Sequence, residues 1–358
     1  MDLTFFIRKW SVRGGNERLA TQVAKVVSAR GHGVTVCCQK VDPSAAELLP
    51  SVSVERLGGI SFDPTLAMWT FAHASRRRVR QLRDTRPDVR TVAFNHTVLQ
   101  DVFWLGAGTH AGYVEAAGER GGQGGALVNR AAASLERRRF DAADFRRLVV
   151  PSKKVAAEAV RHYGVPEDRI RLVYNAVDLE RFHPGRDDEV RARWGVGDEP
   201  VALFAGQNLA MKGLDAAVRA TAAVGCRLVC ASRQSPPADL PAHVIWDGER
   251  ADLERSMRAA DVFLLPSHYE SFGLVILEAW ASGLPVVTTS RVGAAELAVG
   301  TPLAALIAPD HGGGLEDALR AALQDPGGYR ADAVALASQH GLQRFADDVA
   351  GVFEELTR

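Results

Sequence analysis

Short apolar runs recur along the whole chain, each closed by glycine, proline or charge, and the stretches between them have helical periodicity. Runs of this kind are strands buried on both faces, and their regular alternation with helices marks parallel sheets covered from both sides. In the first half the predicted strands are Leu3–Ile7, Gly33–Cys38, Val52–Leu57, Val89–Phe94 and Leu148–Pro151. In the second half they are Val201–Ala205, Arg227–Ala231, Val244–Trp246, Val262–Leu265 and Pro285–Thr289. The pattern predicts an α/β protein of two Rossmann-like, doubly wound domains. The boundary is expected near Asn175–Pro184, which gives ranges 1–175 and 176–340 and leaves 341–358 for a last helix, about Leu342–Leu356. The glycine-rich stretch Gly118–Gly125 reads as a mobile loop in the first domain.

One predicted helix, Phe272–Gly283, is apolar almost all the way round and carries a single carboxylate, Glu278, with a second, Glu270, just before it. Burying an ionised carboxylate without partners costs several kcal/mol or more, so Glu278 is expected to face a polar group. The amides of Phe272, Gly273 and Leu274 would open the helix, where unpaired N–H groups and the positive end of the macrodipole favour an anion. A nucleoside diphosphate sugar would use all three parts, with phosphates on the helix tip, ribose hydroxyls on Glu278 and sugar hydroxyls on Glu270. The competing reading is a core helix whose Glu278 reaches the surface at its edge.

The segment from His268 through Glu270-Ser271-Phe272-Gly273-Leu274 and Glu278 to Val287 resembles the E-x7-E signature of glycosyltransferase family 4. Val150–Lys153 and Arg171–Pro184 are similar to the segment with which that family passes between its domains, and Phe204–Asp215 to its phosphate-facing loop. Within the family, Arg13–Arg18 and Phe94–Phe103 are nearer the lipopolysaccharide core glucosyltransferase branch than the glycogen or sucrose branches. The resemblance implies a GT-B fold, two domains facing across a cleft, and a retaining, metal-independent hexosyltransferase. Open α/β sheets bind ligands beyond the carboxyl ends of their strands, which suits such a cleft. It also implies UDP-glucose as donor, no cofactor, and a lipid-linked or lipopolysaccharide-core acceptor. The alternatives are a soluble small-molecule acceptor, or an epimerase or hydrolase on the same scaffold.

Candidate residues follow from the two lines together. Glu270, Ser271, Phe272, Gly273, Leu274 and Glu278 are donor-binding candidates, with Glu270 also catalytic. Lys212, next to Gly213, would neutralise charge growing on the departing diphosphate. Family members often carry an arginine shortly before this lysine; here Gln207, itself a donor-binding candidate, and Met211 stand there, and Arg18, also an acceptor-side candidate, is the expected compensation. Gly14-Gly15 allows a tight turn and close approach of amides to a phosphate. No G-x-G-x-x-G fingerprint occurs at this turn, which counts against a nicotinamide or flavin enzyme. His96 and Asp101 are expected at the carboxyl end of the Phe94 strand, as catalytic candidates, with His110 on the acceptor side, where relatives often have an acid and this chain has Ala107.

Composition narrows the reading. With 358 residues and 47% hydrophobic content the chain can fill two cores. No run approaches the ~18–20 apolar residues of a membrane span, and the start reads as a strand closed by charge rather than a secretory signal, so a cytoplasmic location is expected. Cys37, Cys38, Cys226 and Cys230 lie in strand-like runs and read as core residues, and no D-x-D arrangement suggests a metal. Net charge is zero, yet residues 1–150 hold 22 Lys/Arg against 14 Asp/Glu, and the remainder is correspondingly acidic. The clusters Arg76–Arg83 and Arg137–Arg147 read as a solvated face or as peripheral contact with an anionic membrane on its inner side. Nucleic acid is not expected, because aromatic platforms are missing.

Overall fold

In a computed structural model of the protein, residues 1–12, 14–60, 62–118, 125–141, 145–309 and 313–356 are described. Arg13 and the interior of the Gly118–Gly125 stretch lie outside them. The chain divides into two compact units, Met1–Tyr174 together with Phe345–Arg358, and Asn175–Arg344.

The first unit begins with β1 (Asp2–Phe6), β2 (Lys9–Trp10), α1 (Gly15–Ala29), β3 (Gly33–Cys38), β4 (Lys40–Val41), α2 (Pro43–Leu48) and β5 (Ser53–Arg56). It continues with α3 (Pro64–Thr85), β6 (Arg90–Ala93), β7 (Val102–Trp104), α4 (His110–Ala117), α5 (Gly125–Asp141), β8 (Arg147–Val150), α6 (Lys153–Tyr163) and β9 (Ile170–Leu172). Seven strands form one parallel sheet in the order β5-β3-β1-β6-β7-β8-β9.

The second unit contains α7 (Asp188–Trp194), β10 (Val201–Ala205), α8 (Leu209–Lys212), α9 (Leu214–Val224), β11 (Arg227–Ala231), β12 (Val244–Gly248) and α10 (Leu253–Ala259). After these come β13 (Val262–Leu265), α11 (Leu274–Ala281), β14 (Val286–Thr289), β15 (Ile307–Ala308), α12 (Leu315–Gln324), α13 (Pro326–Ser338) and α14 (Leu342–Glu354), most of which returns to the first unit. Its parallel sheet runs β12-β11-β10-β13-β14-β15. Every residue of β10, β13 and β14 is buried, as strands covered on both faces require.

Polar side chains start the helices where the sequence supplies them. Asp63 accepts from the Leu66 amide ahead of Pro64, Thr109 from Gly112, and Ser152 from Val155. An aromatic chain stitches the first core, from Phe5 to Phe94 at 5.3 Å, on to Trp104 at 6.1 Å and to Phe345 of α14 at 6.5 Å. The four cysteines are free and buried, and burial pushes the Cys37 and Cys230 thiols up to about 12. They are inert core residues.

The sequence pattern did not reveal β7, β9 or β15, which are two or three residues long. The first of these corrects a placement. Asp101 immediately precedes β7 and lies level with Thr91, so it stands at the amino edge of the sheet, away from the carboxyl end where it was expected. Its carboxylate accepts from the Thr91 amide at 2.8 Å and hydroxyl at 2.7 Å, and pairs with Arg83 at 3.4 Å. Asp101 is a brace of the sheet edge.

Candidate active site

In the second unit the site grows from the carboxyl ends of two adjacent strands, β10 and β13. After β10 the Gly206 amide donates to the Ala231 carbonyl at 3.1 Å, and Asn208 turns the chain in a left-handed conformation, φ 56°. The Leu209 amide is then caught by the Gln234 side chain at 3.1 Å, and the single turn α8 delivers Lys212. Gly213, at φ 77°, ends that turn, and a Cβ there would collide with the Pro266 carbonyl oxygen just beyond β13. The His268 amide donates to Met211 at 2.8 Å, so the two strand ends are sewn together. The Lys212 stem lies along Gly206, its Cε 3.4 Å from where a Cβ would sit.

Glu270 is set by backbone on both sides. Its amide donates to Arg291, its carbonyl accepts from Gly293, and the Ala294 amide donates to Phe272 at 2.7 Å. The Thr289 hydroxyl holds Ser267 at 2.6 Å. Thus fixed, the Glu270 carboxylate forms a direct ion pair with the Lys212 ammonium, and both side chains are largely buried, 22% and 18% exposed. Burial pulls the Lys212 ammonium down to about 8, while the adjoining carboxylate favours its charged form.

The helix beyond starts later than the sequence suggested. Gly273, at φ 92°, is its N-cap and Leu274 its first residue, so Phe272 precedes the helix and its ring belongs to the core at 1% exposure. The reason is the extended bridge between Glu270 and Val292, which holds the chain out of helical conformation until the glycine turns it. The Leu274 and Val275 amides therefore open α11, and the Ile276 amide closes back on Gly273 at 2.9 Å. Ser271 is buried before the cap, and Glu278 is buried in α11 at 4% exposure. Gln207 is exposed in the loop after β10.

The first unit gathers a second set at the carboxyl end of its own sheet. Gly14, at φ 101°, and Gly15 are exposed at the start of α1, and Arg18 is bonded through its amide to Gly14 at 2.9 Å. The carboxylate of Glu17 folds back over Gly14, occupying the place a Cβ would take. Asn16 donates to the Phe94 carbonyl at 2.8 Å, which ties α1 to the segment carrying His96. His96 is itself left-handed, φ 40°, and burial with Arg139, Arg8 and His110 nearby lowers its pKa to about 3, so it is neutral. His110 is the first residue of α4, and its Nε2 is buried without a hydrogen-bond partner among the described residues.

Two charged residues beside these are buried, and the sequence assigned neither to a site. Glu136 is buried, accepts from the His110 amide at 2.8 Å and the Ala111 amide at 3.3 Å, and takes the Tyr163 hydroxyl. Arg139, expected on a solvated face, is 5% exposed instead, donating to Thr97 at 2.7 Å with its guanidinium 3.9 Å from the Phe103 ring centre. Glu136 has an apolar flank on one side only, ending at Leu135, and three arginines on the other, so it lacks the signal that marks Glu278. Among the described residues no group of three His, Cys, Asp or Glu is placed to hold a metal ion, and no helix is long and apolar enough to cross a membrane.

Residues 13–181 match the model of Glycosyltransferase Family 4 and residues 199–325 that of Glycosyl transferases group 1. A probable transglycosylase of Burkholderia thailandensis is 31% identical over 315 residues, 87% of this chain and 83% of that one. A D-inositol 3-phosphate glycosyltransferase of Saccharomonospora viridis is 39% identical over 191 residues, but the match spans only 46% of this chain and 44% of the relative. Among solved structures, WaaG, a glycosyltransferase involved in lipopolysaccharide biosynthesis, superposes with a TM-score of 0.77 at 22% identity, covering 98% of this chain and 99% of that one. Anabaena HepE in complex with UDP and glucose gives 0.72 at 19% identity, covering 99% and 100%.

Proposed function

The chain belongs to glycosyltransferase family 4, with the two parallel-sheet α/β domains of the GT-B fold, and from that membership we propose that it moves glucose from UDP-glucose to an acceptor hydroxyl with retention of configuration. The observation that carries this reading is the Lys212–Glu270 pair, held at the joined ends of β10 and β13 one short loop before the α11 tip and the buried Glu278. Diphosphate oxygens take the Leu274 and Val275 amides and the Lys212 ammonium. Glu270 accepts from sugar hydroxyls and Glu278 from the ribose.

In the reaction the acceptor oxygen attacks the anomeric carbon from the side the diphosphate leaves. The new C–O bond forms as the old one breaks, and the acceptor proton passes to the departing phosphate oxygen. No separate base is needed, and no metal: charge on the leaving group is met by Lys212 and the helix tip. Lys212 first exchanges its contact with Glu270 for the phosphate, which places the ammonium where negative charge grows.

For the acceptor, the preferred reading is lipid-linked or lipopolysaccharide-core saccharide, reached from an anionic membrane face. It is supported by the excess of arginine in the first unit and by a groove along α3 and α5 lined by Arg76, Arg80 and Arg138 together with Val98, Leu99 and Leu135. The name of the 39% identical relative favours a second reading, a soluble inositol phosphate. Incubation with UDP-glucose and either lipopolysaccharide core or inositol 3-phosphate, with product anomers assigned by NMR, tests both. An inverted product, or activity abolished by chelator, refutes the mechanism; transfer to inositol phosphate alone replaces the acceptor.

A further inference from the structure

The amino edge of the first sheet, opposite the end that bears His96 and His110, opens into a cavity of about 680 Å3. Guanidinium groups dominate its wall: Arg83, Arg90, Arg146, Arg147 and Arg169 line it, against three carboxylates. Two of those carboxylates are already engaged. Asp101 is held by Thr91 and Arg83, and Glu355 lies between Arg147 at 2.7 Å and Arg171 at 2.8 Å. The third, Asp168, is exposed.

Donor capacity is left over. Arg90 gives Nη1 to the Pro87 carbonyl at 2.9 Å and has no ion-pair partner among the described residues. Arg146 is exposed and has no ion-pair partner among the described residues. Guanidinium forks match phosphate oxygens bidentately, which a monovalent halide or an isolated hydroxyl does not exploit. Val89, Phe145 and Leu356 add an apolar wall, and the volume falls within the ~300–1,000 Å3 usual for small-molecule sites.

We propose that this cavity binds a phosphate-bearing small molecule, a phosphomonoester or diphosphate, with Arg90 and Arg146 as its primary donors and Arg147 shared with Glu355. The site is separate from the one formed by Lys212 and Glu270, which belongs to the other unit. Glu355 then acts as an internal competitor: its carboxylate neutralises Arg147 until an external phosphate takes that guanidinium over.

The test is calorimetric titration of the full chain with inorganic pyrophosphate in the presence of saturating UDP. Binding that persists under UDP, weakens at least tenfold in Arg146→Glu and tightens several-fold in Glu355→Gln is the expected result. Arg146→Glu replaces an exposed side chain, so its fold and its transfer rate without pyrophosphate should match the parent. Pyrophosphate binding that UDP abolishes, or that Arg146→Glu leaves unchanged, overturns the proposal, and an unchanged affinity in Glu355→Gln removes the competitor role. Because the Arg146 dependence is read directly, a protein that failed to bind UDP would count against the donor assignment and leave this result intact.

Discussion

Lys212 stands under two opposed influences, burial that favours the neutral amine and the Glu270 carboxylate that favours the ammonium. Only the ammonium can neutralise a leaving diphosphate, and burial has brought its pKa in the free protein to about 8, so kcat/KM should fall as pH rises through about 8. A pH profile of kcat/KM checks this, and Lys212→Arg, always charged, should flatten the alkaline limb. Lys212→Ala should lower kcat by about 100-fold with little change in KM, because the charge it meets develops in the transition state. Glu278→Ala should act the other way, raising the donor KM by about tenfold, the worth of a charged hydrogen bond in binding. Protonation of His96 carries a stability signature. Its folded pKa of about 3 lies below the unfolded 6.5, so the unfolded state binds more protons between those values and stability falls as pH drops through that window. Burial lowers His340 to about 4, in the same direction. Denaturant midpoints at pH 7 and pH 5 should differ accordingly; equal midpoints contradict the neutral, buried assignment.

At the scale of elements, the active-site loop after β10 depends on a glycine that tolerates close backbone approach. Gly213 and Gly225 have nearly the same backbone, φ 77° and 76°, yet a Cβ at Gly213 meets the Pro266 carbonyl whereas one at Gly225 meets open space. Gly225→Ala should cost about 1 kcal/mol of left-handed strain, and Gly213→Ala about 2–3 kcal/mol plus a displaced Lys212. Chemical denaturation of the pair separates collision from conformation. The long strands and the Glu270–Glu278 segment were legible in the sequence because their signals are local: continuous apolar runs, and a carboxylate in an apolar helix. Strands of two or three residues have no period to read, and Asp101 was misplaced with one of them. Arg139 was misread for a geometric reason. Three consecutive helical residues sweep about 200° of circumference, so Arg137 and Arg138 can face solvent while the third of the run turns inward onto Phe103. The helix start slipped because a bridge between Glu270 and Val292 is a contact between distant loops.

For the whole molecule the arrangement of chain and units matters more than any single contact. The first unit is discontinuous: Phe345 packs on Trp104, Glu355 links Arg147 and Arg171, and Arg30 holds Asp347 at 2.7 Å. Deleting 345–358 should therefore lower the melting temperature of the first unit and redshift Trp104 emission, while the second unit, which holds Lys212 and Glu270, keeps its own transition and its affinity for UDP. A single shared transition that moves as one would contradict that division. Charge follows the same partition, with the arginine excess in residues 1–150 and the acidic excess after them, so salt should change acceptor-side affinity more than donor affinity. The returning segment also imposes an order on biogenesis. A ribosome releases Phe345 and Glu355 only after the whole of the second unit, so the nascent first unit waits with Trp104 uncovered and Arg147 and Arg171 unpaired by Glu355 while the second unit, whose residues emerge without interruption, is free to fold to completion ahead of it.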